Sequence, residues 1–367
     1  MSTPAAAGHG ARRDDPGFRL ERRGVLMHPV ADDPIQQWGV LNPAAARDRQ
    51  GDLWIFPRLV AEENHSRIGR ARVRFDGSGD PVGTDPPSIV LEPTELWEIN
   101  SRTAGVEDPR ITWIASLDRY VMTYTAYGPL GPRIGLALSA DLAHWERLGP
   151  LRFDYEPALE IDIGLYPNKD AMWFPEPVAA PDGSPAYAII HRPDWDLSEY
   201  SDLGYSAPPT GVADPRPGIW VSFADAESVG EDVASLVRVG QHRQVATSEQ
   251  PWELIKIGGG TPPIRTPGGW LMLYHGVAGI YEPGRDLQQR LHYAAGVMVH
   301  DSEDVTRLLY RSTEPLLEAE TTEEQEGIVP NVVFPTGIDD RGEGRADVFY
   351  GMADSRIGWA RLTYPSS

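Results

Sequence analysis

Cysteine is absent from the 367 residues, so the chain has no disulfide, no thiolate metal ligand and no cysteine nucleophile. Lysine is almost as scarce: of 33 basic side chains only Lys169 and Lys256 are lysine, and the other 31 are arginine. No block of clustered positive charge occurs in a chain of net charge -21, which argues against nucleic acid and anionic membrane surfaces as partners. Long apolar runs are missing too. No stretch approaches the roughly 20 apolar residues of a membrane span, and Met1 to Pro16 has no apolar core of the kind a secretory signal carries. The expectation is a cytoplasmic protein with a disordered tail over residues 1–17, rich in Ala, Gly and Arg, and one domain over 18–367.

Short β-rich runs bounded by turn formers fill the rest, with 37 Gly and 34 Pro as punctuation and 11 Trp to fill a core. The runs come in pairs: 53–58 with 68–76, 120–127 with 134–141, 186–192 with 219–225, 270–275 with 295–301, and 347–354 with 357–363. Each pair follows a polar residue beside proline, at Asn42-Pro43, Asp108-Pro109, Phe174-Pro175-Glu176, Thr261-Pro262-Pro263 and Phe334-Pro335-Thr336. A strand, turn, strand, loop, strand unit repeated every roughly 65 to 90 residues suits antiparallel blades in a radial array. Few windows carry apolar residues at helical spacing without an intervening Pro or Gly. The expected fold is all-β, a five-bladed β-propeller; a split β-sandwich is the alternative, and the fivefold count favours the propeller.

In a radial fold equivalent strand ends gather at one mouth of the central channel, where ligands bind. Those ends hold Asn42, Arg58, Asp108, Arg110, Tyr127, Asn168, Lys169, Arg192, Lys256, His275 and Asp354. Both lysines are among them, at positions the repeat makes equivalent. The Pro-rich segment Asp194 to Gly218 reads as a surface loop that could overhang the mouth, and the acidic run Glu318 to Glu326 as a solvated face.

Gly105-Val-Glu-Asp-Pro-Arg110 brings two acids to the start of a strand. Neighbours on an extended chain point to opposite faces, so Glu107 and Asp108 are not expected to form a carboxylate pair, and one of them faces the channel. The bland alternative is an acid capping a turn, with Arg110 as its ion-pair partner. Lys256 precedes Gly258-Gly-Gly260, a run that admits either a ligand or a bulge. No close His/Asp/Glu cluster has metal-ligand spacing, and neither a phosphate-binding Gly-x-x-x-x-Gly-Lys-Ser/Thr loop nor a Gly-x-Ser-x-Gly nucleophile occurs. Acids with Trp and Tyr platforms suit carbohydrate; cations in an acidic protein suit a small anion.

These segments resemble glycoside hydrolase family 130, the mannoside phosphorylases and related β-mannosidases. The motifs are Asn42-Pro-Ala44, Gly105-Val-Glu-Asp-Pro-Arg110, Tyr124-Thr-Ala-Tyr127, Asn168-Lys-Asp170, Phe174-Pro-Glu176, His191-Arg-Pro193, Trp252-Glu-Leu-Ile-Lys-Ile-Gly258, Gly269 to Val277, Pro330 to Gly337 and Tyr350-Gly-Met-Ala-Asp354. The resemblance implies a five-bladed propeller, as the repeat count does. It also implies Asp108 as catalytic acid; Asn42, Arg58, Glu107, Tyr127 and Asp354 around the mannosyl unit; and Lys169, Arg192, Lys256, His275 and Tyr293 around phosphate, with Tyr281 competing for the last place. At Lys169-Asp170 some members carry an Arg-Asn pair.

The implied activity is inverting phosphorolysis of a β-mannoside to α-mannose 1-phosphate. The implied partners are a mannose-containing oligosaccharide and inorganic phosphate, with no other cofactor, no metal and often a homo-oligomer. A phosphorylase attacks with an anion that is already nucleophilic, so it needs cations rather than a base. Two alternatives stand: an inverting β-mannosidase using Glu98, Glu107 or Glu176 as base, and a sugar-binding propeller without catalysis.

Overall fold

The alternation of apolar and polar residues in the paired runs is resolved as five antiparallel hairpins. The computed structural model describes residues 17–100, 105–197, 208–279 and 291–366. Hence the tail 1–16, the middle of the 194–218 loop and Tyr281 lie outside the described residues. The hairpins are Leu53–Val60 with Ser66–Phe75, Arg119–Gly128 with Gly131–Ser139, Pro185–Pro193 with Ile219–Asp225, Gly269–Gly279 with Leu291–His300, and Arg345–Met352 with Arg356–Thr363. An inner strand adds to each: Gly39–Arg47, Val106–Ile114, Asn168–Trp173, Lys256–Gly259 and Val333–Gly342. The five sheets are the blades of a propeller, numbered 1 to 5 below in this order.

Blade 5 takes its outermost strand from the other end of the chain. Arg19–Met27 pairs antiparallel with Arg356–Thr363, so the first described strand closes the ring on the last blade. Blade faces pack on each other through apolar side chains. One cluster joins Met172, Ile190 and Val221 of blade 3 to Ile257, Met272 and Met298 of blade 4. Each such buried side chain is worth roughly 1.5–3 kcal/mol relative to exposure.

The inner strands are not regular. In blades 1, 2 and 3 the register slips between Leu41 and Ala44, between Glu107 and Arg110, and between Lys169 and Met172. The residues at the slips, Asn42, Asp108 and Asp170, have φ of 45°, 48° and 55°, a left-handed conformation that Asn and Asp tolerate better than most. The proline punctuation follows this bulge in blades 1 and 2 only. Blade 3 has Asp170-Ala171 there, and Phe174-Pro175 lies past the end of Asn168–Trp173, at the opposite mouth.

Three blades share a further device. Tyr124, Tyr274 and Tyr350, each on the second strand of its blade, bond through the hydroxyl to the fully buried carboxylates of Glu98, Glu253 and Glu324. Each carboxylate also accepts two backbone N–H groups of its own loop and an arginine, Arg147, Arg311 or Arg22. These buried acids are paired on every side, as a buried charge must be. Glu324 therefore corrects the reading of Glu318 to Glu326 as a uniformly solvated face.

Candidate active site

The ring order puts the acids on one arc of the mouth and the cations on the other. Blades 5, 1 and 2 are consecutive around the ring, as are blades 3 and 4.

On the first arc Arg58, buried in blade 1, is the organising cation. Its Nη2 donates to Glu107 Oε1 at 2.9 Å, its Nη1 to Asp108 Oδ1 at 3.3 Å, and its Nε to Ser66 Oγ at 2.9 Å. Asn42 Nδ2 donates to the same Asp108 oxygen at 2.9 Å. Gly351 leaves the room that Asn42 Oδ1 occupies. Asp354, in the left-handed turn after Arg345–Met352, faces the group from blade 5. Burial and the nearby Asp108 and Glu107 charges push its carboxyl up to about 6, against the pull of Arg58. Burial, with Asp108 beside it, also raises Glu107.

Glu107 and Asp108 thus both reach one guanidinium, contrary to the expectation from strand alternation. The bulge at Asp108-Pro109 is the reason, because positive φ turns Asp108 out of the alternation.

On the second arc the organising group is an anion. Asp170 Oδ2 accepts Arg192 Nε at 2.6 Å and lies 3.7 Å from His275 Nε2, and its Oδ1 lies 3.7 Å from Arg110 Nη2. Burial pushes the Asp170 carboxyl up, but Arg192, His275, Arg110 and Lys169 together hold it well below the usual carboxylate range. His275 is driven the other way: burial, with Arg192, Lys256 and Arg110 nearby, holds it neutral. Its buried Nδ1 has no hydrogen-bond partner among the described residues. Tyr293 stacks on His275 with ring centroids 6.0 Å apart, and Lys256 Nζ lies 5.8 Å over the Tyr293 ring. Burial pushes the Tyr293 phenol up to about 12, so it stays a donor.

The glycine run serves this packing rather than a ligand's backbone. A side chain at Gly258 would sit 2.5 Å from Asp170 Oδ2 and 2.5 Å from His275 Cε1.

The two lysines are not equivalent. Lys169 pairs with Arg192 immediately before the bulge, whereas Lys256 pairs with Val277, two places before Gly258, the partner of His275. Both still face the mouth, because an offset of two keeps a strand residue on the same face.

Arg110 joins the arcs from below. It donates to the Asp108 carbonyl at 2.7 Å and, across the axis, to the Gly260 and Gly259 carbonyls at 3.1 and 3.3 Å. It is a floor of the mouth, not an ion-pair partner of Glu107.

The expected residues Asn42, Arg58, Glu107, Asp108 and Asp354, and Lys169, Arg192, Lys256, His275 and Tyr293, are therefore brought together. Tyr127 stands at the same mouth, two residues beyond Thr125, the partner of Glu107; its main chain bonds to Gly105 and Asn100. Asn168 turns inward instead, to His191 in a buried chain with Ser222 and His242. Asp170 was not among the expected site residues. The signal that would have found it is an Asn or Asp at the same inner-strand bulge in three successive blades. Of the candidate bases, Glu98 is sealed in its clamp, and Glu176 is an exposed ion pair with Arg265 at the opposite mouth. Only Glu107 is in the site, bound to Arg58.

Residues 26–364 match the family model described as beta-1,4-mannooligosaccharide phosphorylase. The chain is 31% identical over 361 residues to a beta-1,2-mannobiose phosphorylase of Thermoanaerobacter sp. (strain X514), covering 94% of this chain and 97% of that one. It is 30% identical over 350 residues to the 1,2-beta-oligomannan phosphorylase of the same strain, covering 94% and 96%. The structure of a beta-1,2-mannobiose phosphorylase from Listeria innocua superposes with a TM-score of 0.67 at 22% identity over 94% of this chain and 96% of that one. The chain belongs to glycoside hydrolase family 130.

Proposed function

We propose that the protein is an inverting β-mannoside phosphorylase. One observation carries this: the acids and the cations occupy opposite arcs of a single mouth, and of the three candidate bases Glu98, Glu107 and Glu176 the one placed there, Glu107, is tied to Arg58. A mannosyl unit between the arcs would present its leaving oxygen to Asp108 and the other face of its anomeric carbon to Lys169, Arg192, Lys256, His275 and Tyr293. Phosphate held by those donors forms the new bond from one of its oxygens to the anomeric carbon. The bond to the leaving oxygen breaks, and that oxygen takes the proton of Asp108. Attack from the opposite face inverts a β-linkage to α-mannose 1-phosphate.

Asp108 is suited to this because Asn42 and Arg58 both bind Oδ1, which leaves Oδ2 to carry the proton. Arg58, Asn42 and Asp354 would hold the sugar. Cations fixed in advance around the anion cost no reorganisation at the moment of reaction. Two relatives about 30% identical that span over nine-tenths of both chains are named for β-1,2 linkages, which puts β-1,2-linked oligomannosides first among the substrates to test.

The test is to incubate the protein with a β-1,2-linked mannobiose with and without inorganic phosphate and to follow α-mannose 1-phosphate. Release of the sugar is expected only with phosphate, and Lys256→Ala is expected to raise KM for phosphate by about tenfold or more. Equal turnover without phosphate would establish the hydrolase instead.

A further inference from the structure

A phosphate site built of cations alone would bind any tetrahedral oxyanion. This one has a carboxylate at its centre. Asp170 is only 2% exposed. The groups facing it come from four other strands besides its own Lys169: Arg110 on Val106–Ile114, Arg192 on Pro185–Pro193, His275 on Gly269–Gly279 and Tyr293 on Leu291–His300. The position is built: Gly258 gives way to both Asp170 and His275, and Asp170 is held in a left-handed bulge. Of its two oxygens, Oδ2 is committed to Arg192 at 2.6 Å. Oδ1 accepts no hydrogen bond from any described residue; its nearest cation, Arg110 Nη2, stands off at 3.7 Å. In the same cluster the buried His275 Nδ1 also lacks a partner among the described residues. Two polar atoms without a described partner, one of them on an anion, thus belong to the cluster to which the proposed function assigns phosphate.

An ionised carboxylate only accepts hydrogen bonds. An oxyanion without protons also only accepts, so the two would meet with like charge and no hydrogen between them. Hydrogen phosphate differs, because it keeps one P–OH. We infer that Asp170 is a specificity-determining residue that accepts the P–OH of hydrogen phosphate through Oδ1 and so rejects sulfate and other fully ionised tetrahedral anions. This rests on the phosphorylase reading of the same site. The proton is read and not transferred. A different phosphate oxygen attacks the anomeric carbon, Asp108 protonates the leaving oxygen, and the P–OH proton stays on the sugar phosphate until release. Sites that hydrogen-bond a substrate hydroxyl discriminate strongly against analogues that lack it, since their own polar group is then left unpaired.

The test measures KM for phosphate and the inhibition constant of sulfate in phosphorolysis by the wild-type protein, Asp170→Asn and Asp170→Ala. The wild type is expected to bind phosphate at least about a hundredfold more tightly than sulfate. Asp170→Asn, which can turn its amide N–H toward the anion, is expected to be inhibited by sulfate about tenfold or more tightly than the wild type. Asp170→Ala, which also frees the Arg192 fork, is expected to raise KM for phosphate. Phosphate-dependent turnover with an unchanged sulfate-to-phosphate ratio in Asp170→Asn would overturn the role of Asp170 and leave the phosphorylase standing. Wild-type protein that binds sulfate as tightly as phosphate overturns it too, whether or not either variant folds. Turnover that needs no phosphate overturns both.

Discussion

The two arcs of the mouth are built on inverse plans. On blades 5, 1 and 2, one guanidinium, Arg58, serves three acids; on blades 3 and 4, one carboxylate, Asp170, serves Arg192, Lys169 and a neutral His275, and Arg110 reaches it from blade 2. Asp354 and Asp170 show what the inversion does. Both are aspartates with positive φ, Asp170 buried and Asp354 half-buried, and desolvation raises both. Asp354 ends at about 6 because its neighbours include two more acids, whereas Asp170 ends well below the ordinary range because its neighbours are cations. Residue type and depth do not decide the protonation state here; the count of charges around the group does. The same fold can therefore keep one carboxyl ready to hold a proton and another permanently ionised.

The largest effect is expected from breaking the acidic arc at its reacting group. Asp108→Asn keeps the shape and the acceptor for Arg58 but removes the transferable proton. A general acid is worth typically about 10²–10⁴ in rate, so kcat should fall by that much while KM for phosphate, set on the other arc, stays within a few-fold. A variant that keeps kcat but loses phosphate affinity would show that the arcs do not divide the labour as described.

Much of this division was legible in the sequence. The five hairpins stand out because each alternates apolar and polar residues between turn formers, and the ring then brings their ends together without further information. Closure by Arg19–Met27 was not legible. That strand has charged residues at Arg19, Glu21, Arg22 and Arg23 and lies on a blade's outer edge, so it has little of the apolar signal that marks a core strand. Within the site, Asn42, Asp108 and Asp354 were found through motifs, and Arg58 as the end of a strand run. Asp170 was not named as a site residue, and Arg110 was placed at the mouth without its role, because those roles depend on a bulge and on a cross-axis bond, neither of which a strand pattern records. The buried glutamates left a fainter trace: Glu253 and Glu324 each close a capping box, at Gln250-x-x-Glu253 and Thr321-x-x-Glu324.

A smaller effect, on stability, separates the arcs by pH. Folded Asp354 holds its proton up to about 6, while an unfolded aspartate loses it near 3.8. Between those values the folded chain binds the extra proton, so the free energy of unfolding falls as pH rises through the window. At roughly 1.4 kcal/mol per unit the loss is at most about 3 kcal/mol. Urea unfolding at a series of pH values should show this decline in the wild-type protein and lose it in Asp354→Asn, which is neutral throughout. Parallel curves for the two proteins would mean that Asp354 ionises freely and that the acidic arc is less crowded than its geometry indicates.

The smallest effect belongs to an acid that lies on neither arc. Glu176 follows a strand that begins at the mouth and ends at the opposite end of the channel, where its carboxylate meets Arg265 at 3.1 Å with both side chains more than half exposed. An exposed pair of this kind contributes about 0–1 kcal/mol. Glu176→Gln should therefore leave kcat, the phosphate KM and the unfolding midpoint almost unchanged, even though Glu176 shares a segment with the motifs around the site. The variant is informative because sequence proximity and spatial position make opposite forecasts for it. If water were the nucleophile and Glu176 its base, kcat would fall as steeply as in Asp108→Asn. If the mouth alone holds the chemistry, a carboxylate at the far end of the channel can be removed at no cost to it.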